Sequence, residues 1–107
     1  MVEKVVILKT GDVFEQLVRR DNEGEGSRFL LKVVDVNTDS KGRDYLWANY
    51  QVSENGVPAS MTLYLSPGEK NGERARIPSE FVTDNGALNN RIRRIKPPQG
   101  VRWSYED

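Results

Sequence analysis

The sequence predicts an all-β fold, a small barrel of five to seven short antiparallel strands. Three observations carry that expectation. Asn-Gly pairs at Asn55-Gly56, Asn71-Gly72 and Asn85-Gly86 each lie between stretches that hold apolar residues, and this dipeptide is the strongest short-range hairpin signal. The stretches flanking Asn55-Gly56 alternate apolar and polar residues, the period-two pattern of a half-buried strand. The 107 residues give room for one domain, 1–107, with one core, and 36% hydrophobic against 30% charged residues suits a folded domain with a well-solvated surface.

In chain order, strands are expected at Val2 to Lys9, Val13 to Arg20, Arg28 to Asn37, Asp44 to Ser53, Ala59 to Ser66, Arg74 to Ile77 and Arg91 to Lys96. The segment Asp12 to Arg20 reads two ways. Val13, Phe14, Leu17 and Val18 fall at helical spacing, and Asp12 with Glu15 matches a capping box, which gives a short helix at 12–20. Gly11-Asp12 as a turn instead makes Val13 to Arg20 a strand, hairpinned to Arg28 to Asn37 around the acidic loop Asp21 to Ser27. A further turn is expected at Thr38 to Arg43.

A two-residue turn at Asn55-Gly56 fixes a register: Val52 meets Ala59, Tyr50 meets Met61, Ala48 meets Leu63 and Leu46 meets Leu65. That face is wholly apolar and belongs to the core. The opposite face pairs Gln51 with Ser60, Asn49 with Thr62 and Trp47 with Tyr64, with Tyr45 further along the same side, and is expected in water. A two-residue turn at Asn71-Gly72 would set Ile77 opposite Ser66 on the wet face, so the loop Pro67 to Glu73 is expected to be longer or bulged. Beyond it, Arg74 and Arg76 should point outward, Ala75 and Ile77 inward. Pro97-Pro98-Gln99-Gly100 ends the last strand, since neither proline can donate to a ladder, and leaves 97–107 as a C-terminal arm or edge strand.

The absence of histidine and cysteine removes the usual zinc, copper, haem and iron–sulfur ligands, and with them Ser-His and Cys-His nucleophile pairs. Carboxylate acid/base or Ser-Lys chemistry survives, but no spacing singles it out, so a non-enzymatic protein without metal or cofactor is expected. Asp35, Asn37 and Asp39 alternate like the start of a calcium loop, yet Ser40 stands where glycine belongs and Leu46 where the bidentate glutamate belongs. An Asp/Asn-rich turn is the better reading. The longest apolar runs, Val5 to Leu8 and Phe29 to Val34, fall far short of the roughly 18 to 20 residues of a membrane span, and Met1 to Lys9 lacks the layout of a signal peptide. The expectation is a cytosolic protein without membrane contact.

Two features point to binding. A tryptophan beside a tyrosine on a solvent-facing sheet, Trp47 with Tyr64, can stack bases or anchor a protein partner. The chain is neutral, 16 Lys+Arg against 16 Asp+Glu, but Asn85 to Tyr105 holds Arg91, Arg93, Arg94, Lys96 and Arg102 and no acid, with Trp103 and Tyr105 following. Cations suit phosphates and flat rings suit bases. The alternative for this stretch is a solvated edge whose arginines pair with Asp21, Glu23 and Glu25.

The stretch Ile77-Pro78-Ser79-Glu80-Phe81-Val82 resembles the I-P-S-N-Y-V segment near the end of SH3 domains, where a strand runs into a single 3₁₀ turn and then the last strand. The resemblance implies an SH3-like barrel, an OB-like one being the related alternative. It further implies a groove for proline-rich peptides lined by Asp21 to Glu25, Trp47, Pro78 and Phe81. The A-L-Y-D-Y segment is missing and one tryptophan stands where the family has two.

The expected binding surface is therefore drawn from Trp47, Tyr64, Arg74, Arg76, Arg91, Arg93, Arg94, Lys96, Arg102 and Trp103. Nucleic acid is the leading partner. The rival is a protein partner, as for an adaptor or an inhibitor of the kind phages make against host machinery, and a carboxylate-based enzyme with a deep acidic cleft is a third reading.

Overall fold

Frequent turns and β-branched runs give strands and no helix among the residues described by the structure, a computed structural model covering 4–20, 26–53, 56–82 and 88–106. Among the described residues nine strands follow one another: β1 (Val5–Lys9), β2 (Val13–Arg20), β3 (Ser27–Thr38), β4 (Asp44–Tyr50), β5 (Ser60–Tyr64), β6 (Lys70–Asn71), β7 (Arg74–Pro78), β8 (Glu80–Val82) and β9 (Leu88–Ile95). A six-stranded antiparallel sheet, ordered β5-β4-β3-β2-β9-β8, curls into half a barrel, and a three-stranded sheet, β1-β7-β6, packs on it. The fold is all-β and barrel-like. Among the described residues no helix is long and apolar enough to cross a membrane.

Both sheets contribute to one core: Val6 and Leu8 from β1, Ala75 and Ile77 from β7, and Phe14, Leu31, Val33, Leu46, Ala48 and Ile92 from the large sheet. The segment Asp12 to Arg20 is strand, not helix: its residues pair with β3 on one side and β9 on the other. Ladder bonds on both edges outweigh its helical spacing, and the acid of the supposed capping box serves the corner, where Asp12 Oδ2 accepts the Lys9 N–H at 3.0 Å. Gly11, at φ +93°, makes that corner, and β1 and β2 leave it in different sheets. A bulge at Val34 resets the alternation of β3, so that Leu31, Val33 and Val36 all reach the core.

The hairpin register differs from the expected one by two residues. Leu46 meets Leu63, Ala48 meets Met61 and Tyr45 meets Tyr64, while Tyr50 donates its N–H to Ala59. The reversal closes one residue early, with Gly56 N–H on Ser53 C=O, and a Cβ at Gly56 would collide with Ser53 Oγ. A slip of two keeps every side chain on its face, so the dry and wet assignments survive while the pairs Val52 with Ala59 and Trp47 with Tyr64 do not.

The second Asn-Gly reversal is also displaced, by one residue toward the C-terminus. Asn71 faces Arg74, and Gly72 alone carries a positive φ, +63°, the type II′ pattern. The loop after β5 turns at Pro67-Gly68 and carries β7 away from β5 to pair with β1, which is why no β5-to-β7 register could satisfy Ile77. Arg74 and Arg76 do point outward, with Ala75 and Ile77 buried. The third pair, Asn85-Gly86, and the acidic residues 21–25 lie outside the described residues.

β7 passes into β8 through the single residue Ser79. No 3₁₀ turn intervenes, contrary to the resemblance with SH3 domains. Ser79 is buried; its N–H donates to the Lys4 carbonyl beside the small sheet, and its own carbonyl accepts the Ile92 N–H of the large one. Phe81 then packs on the core, whereas Trp47 stands on the outer face and Pro78 is exposed on β7. These three do not line one groove.

The tail after Pro98 returns to the large sheet. Trp103 bridges to Gln51, Ser104 N–H donates to the Tyr50 carbonyl, and Ser104 Oγ accepts the Ala59 N–H at 3.0 Å. Glu106 pairs with Lys32 at 2.8 Å. These contacts bracket Asn49, which is buried, not solvated as the wet face required.

Candidate functional site

Seven of the ten expected residues fall into three places. Trp47, on the outer face of β4, stands opposite Thr62 and Asp35, beside the bulge of β3. It is 38% exposed and Tyr64 53%, so both rings are available. Arg43 lies over the Tyr64 ring at 4.4 Å, a cation–π contact. Asp39 orients that arginine, accepting its backbone N–H, its Nε–H and the Lys41 N–H, each at 2.9 Å. The Arg43 backbone bond above all, with the others helping, holds the Asp39 carboxyl below its ordinary value. The Asp/Asn-rich segment is thus a turn that sets Arg43 on the Tyr64 ring, while Asp35 stands opposite Trp47 and β3 and β2 lie between β4 and the basic β9.

Arg91 and Arg93 occupy the outer face of β9 at the other side of the sheet. Arg91 pairs with Glu80 at 2.8 Å, and Arg93 shares Glu15 with Arg28, at 3.5 and 2.7 Å. Register brings these acids to them, since Glu15 faces Arg93 and Glu80 faces Arg91 across the ladders. A shallow groove of about 380 Å³ beside them is lined by Leu17, Arg19, Glu80, Phe81 and Val82.

Arg94, one residue on, points to the opposite side. It faces Phe14 across the ladder, at the margin where β1 crosses, and enters a groove of about 320 Å³ between the two sheets. Val5, Val6, Ile7, Lys9, Asp12 and Arg74 line the rest. Lys9 stands directly opposite Arg74, and Ile7, 49% exposed, directly opposite Arg76. Among the described residues, Lys9, Arg74, Arg76 and Arg94 make no ion pair.

No protein family, curated protein or solved structure matches the chain.

Of the expected residues, then, Arg74 and Arg94 share one groove with Arg76 alongside, Arg91 and Arg93 are neutralised elsewhere, and Trp47 and Tyr64 are apart from all five. Lys96 and Arg102 are exposed on either side of the prolines, and Trp103 is half-buried beside Gln51. Lys9, Ile7 and Asp12 were not among the expected residues. Only the pairing of β1 with β7, more than sixty residues apart in sequence, brings Lys9 to Arg74, and no local pattern carries that signal. Among the described residues each groove holds a single carboxylate, Asp12 or Glu80.

Proposed function

We propose that the chain is a non-enzymatic, cytosolic binding module that associates with nucleic acid through the basic face made by Lys9, Arg74, Arg76 and Arg94. The observation that carries this reading is the set of four cations without an acid partner among the described residues, gathered around the exposed Ile7 on two adjacent strands and the facing edge of β9. Cations that lack internal partners are free to take phosphates, and because the chain as a whole is neutral the rest of it is net negative, which confines attraction to this face. The earlier choice of Arg91 and Arg93 gains no support, because Glu80 and Glu15 already occupy them.

Binding of a labelled single-stranded oligonucleotide across a salt series tests it. Log affinity should fall linearly with log salt, with a slope of about −3 for four phosphate contacts. Binding that ignores salt, or none at low salt, overturns the reading.

The exposed Trp47 and Tyr64, away from the basic groove, favour a second reading, a protein-binding adaptor or inhibitor. Its partner would be lost on Trp47→Ala and would respond little to salt.

A further inference from the structure

We infer that the groove between the two sheets is a phosphate seat, in which Lys9 and Arg74 from the small sheet and Arg94 from the large one close on a single phosphate group. The cross-strand pair is the first ground. Like charges directly opposite each other on adjacent strands destabilise a sheet, and natural sheets relieve them with an acid. Among the described residues no acid does so: Asp12, the one carboxylate among them that lines the groove, makes no ion pair with either cation and accepts the Lys9 backbone N–H at 3.0 Å. Three cations against one carboxylate leave an excess of positive charge in a concave site of about 320 Å³.

The donor set is the second ground. Guanidinium forks match pairs of phosphate oxygens, and an ammonium adds a compact point charge, so two arginines and a lysine suit a phosphate better than a carboxylate. The volume lies at the lower end of the range for small-ligand sites, enough for a phosphate and part of the group that it carries. Val5 and Ile7 offer that group an apolar wall. Because the cations come from both sheets, an occupied seat ties the sheets together and stabilises the fold by mass action.

The inference rests on the basic face of the proposed function, but the phosphate can belong to a strand or to a free phosphate ester. Inorganic pyrophosphate titrated into the full chain, with chloride adjusted to constant ionic strength, tests the seat alone. The midpoint of thermal unfolding should rise saturably, and the Nε–H signals of Arg74 and Arg94 in the NMR spectrum should shift while those of Arg91 and Arg93 stay. Arg94→Gln and Lys9→Gln, each checked for a folded spectrum, should weaken pyrophosphate about tenfold, and Arg93→Gln by less than about twofold. No saturable shift, or equal movement of all four arginines, overturns the seat. A single-stranded oligonucleotide then separates the sources. Pyrophosphate that shifts Arg74 and Arg94 while the oligonucleotide fails to bind upholds the seat for small phosphate esters and removes the nucleic-acid reading. An oligonucleotide that moves those two signals where pyrophosphate does not keeps that reading and overturns the seat.

Discussion

The outer face of β9 and the groove between the sheets hold the same residue type in opposite circumstances. Arg91 and Arg93 each face a glutamate across a ladder, whereas Arg94, the immediate neighbour of Arg93, turns toward Lys9 and Arg74 and meets one carboxylate already in use. The first face is a solvated surface whose ion pairs contribute at most about 1 kcal/mol each. The second gives up stability to keep cations unpaired. An acid-free run of arginines is therefore not one surface: strand alternation divides it, and cross-strand neighbours decide which part is free to bind.

Reversing the groove should produce the largest effect. Arg74→Glu combined with Arg94→Glu is expected to reduce oligonucleotide affinity by more than about tenfold at low salt and to flatten the salt slope by about two contacts. Arg91→Gln with Arg93→Gln should leave both nearly unchanged; equal losses from the two double variants, measured by fluorescence anisotropy, would erase the contrast between the faces.

Stability should respond in the reverse sense. Glu15→Gln removes the partner of both Arg28 and Arg93 and should cost up to about 1 kcal/mol in urea unfolding. Lys9→Gln, which relieves the like-charge pair with Arg74, should be neutral or stabilising by a few tenths of a kcal/mol. A clear loss of stability in Lys9→Gln would show that the groove cations are structural.

Trp47→Ala serves as a third arm. With its ring 38% exposed, it should change stability by less than about 1 kcal/mol and oligonucleotide affinity by less than about twofold. A large loss of oligonucleotide affinity would move the nucleic-acid surface to the aromatic face.

The smallest effect concerns a carboxylate that is fully used. The Asp39 carboxyl lies below its ordinary value because the charged form accepts bonds from Arg43 and Lys41. Its contribution to the 39–43 turn is thus present above the ordinary carboxylate value and is lost as pH falls through the lowered one. Amide exchange at Lys41 and Arg43 should accelerate in that acidic range relative to exchange at neighbouring strand residues, and Asp39→Asn should remove the transition.

Much of the large sheet was legible because it is built from local hairpins. The alternation in β4 and β5 gave the dry and wet faces, Asn49 excepted, even though the turn closed one residue early, since a slip of two leaves faces unchanged. Arg74 and Arg76 were legible as outward-facing for the same reason. The helical spacing of Val13 to Val18 misled because ladder pairing on both edges of β2 overrides local propensity. What was not legible is long-range: β1 beside β7, Glu15 opposite Arg93, and the tail that bridges to Gln51 all depend on partners far away in sequence. The candidate site is made almost wholly of such pairings, so its individual cations could be guessed but their company could not.

Ser79 gives the groove a mechanical property. Arg74 lies five residues before it in β7, and Arg94 lies two residues after Ile92, whose N–H is bonded to the Ser79 carbonyl. The two arginines are thus the jaws of a vice whose pivot is one buried residue, held to Lys4 on one side and to β9 on the other. The backbone from which both side chains reach is set when the chain folds and not when a ligand arrives, so an anion has the two exposed side chains to order but little backbone.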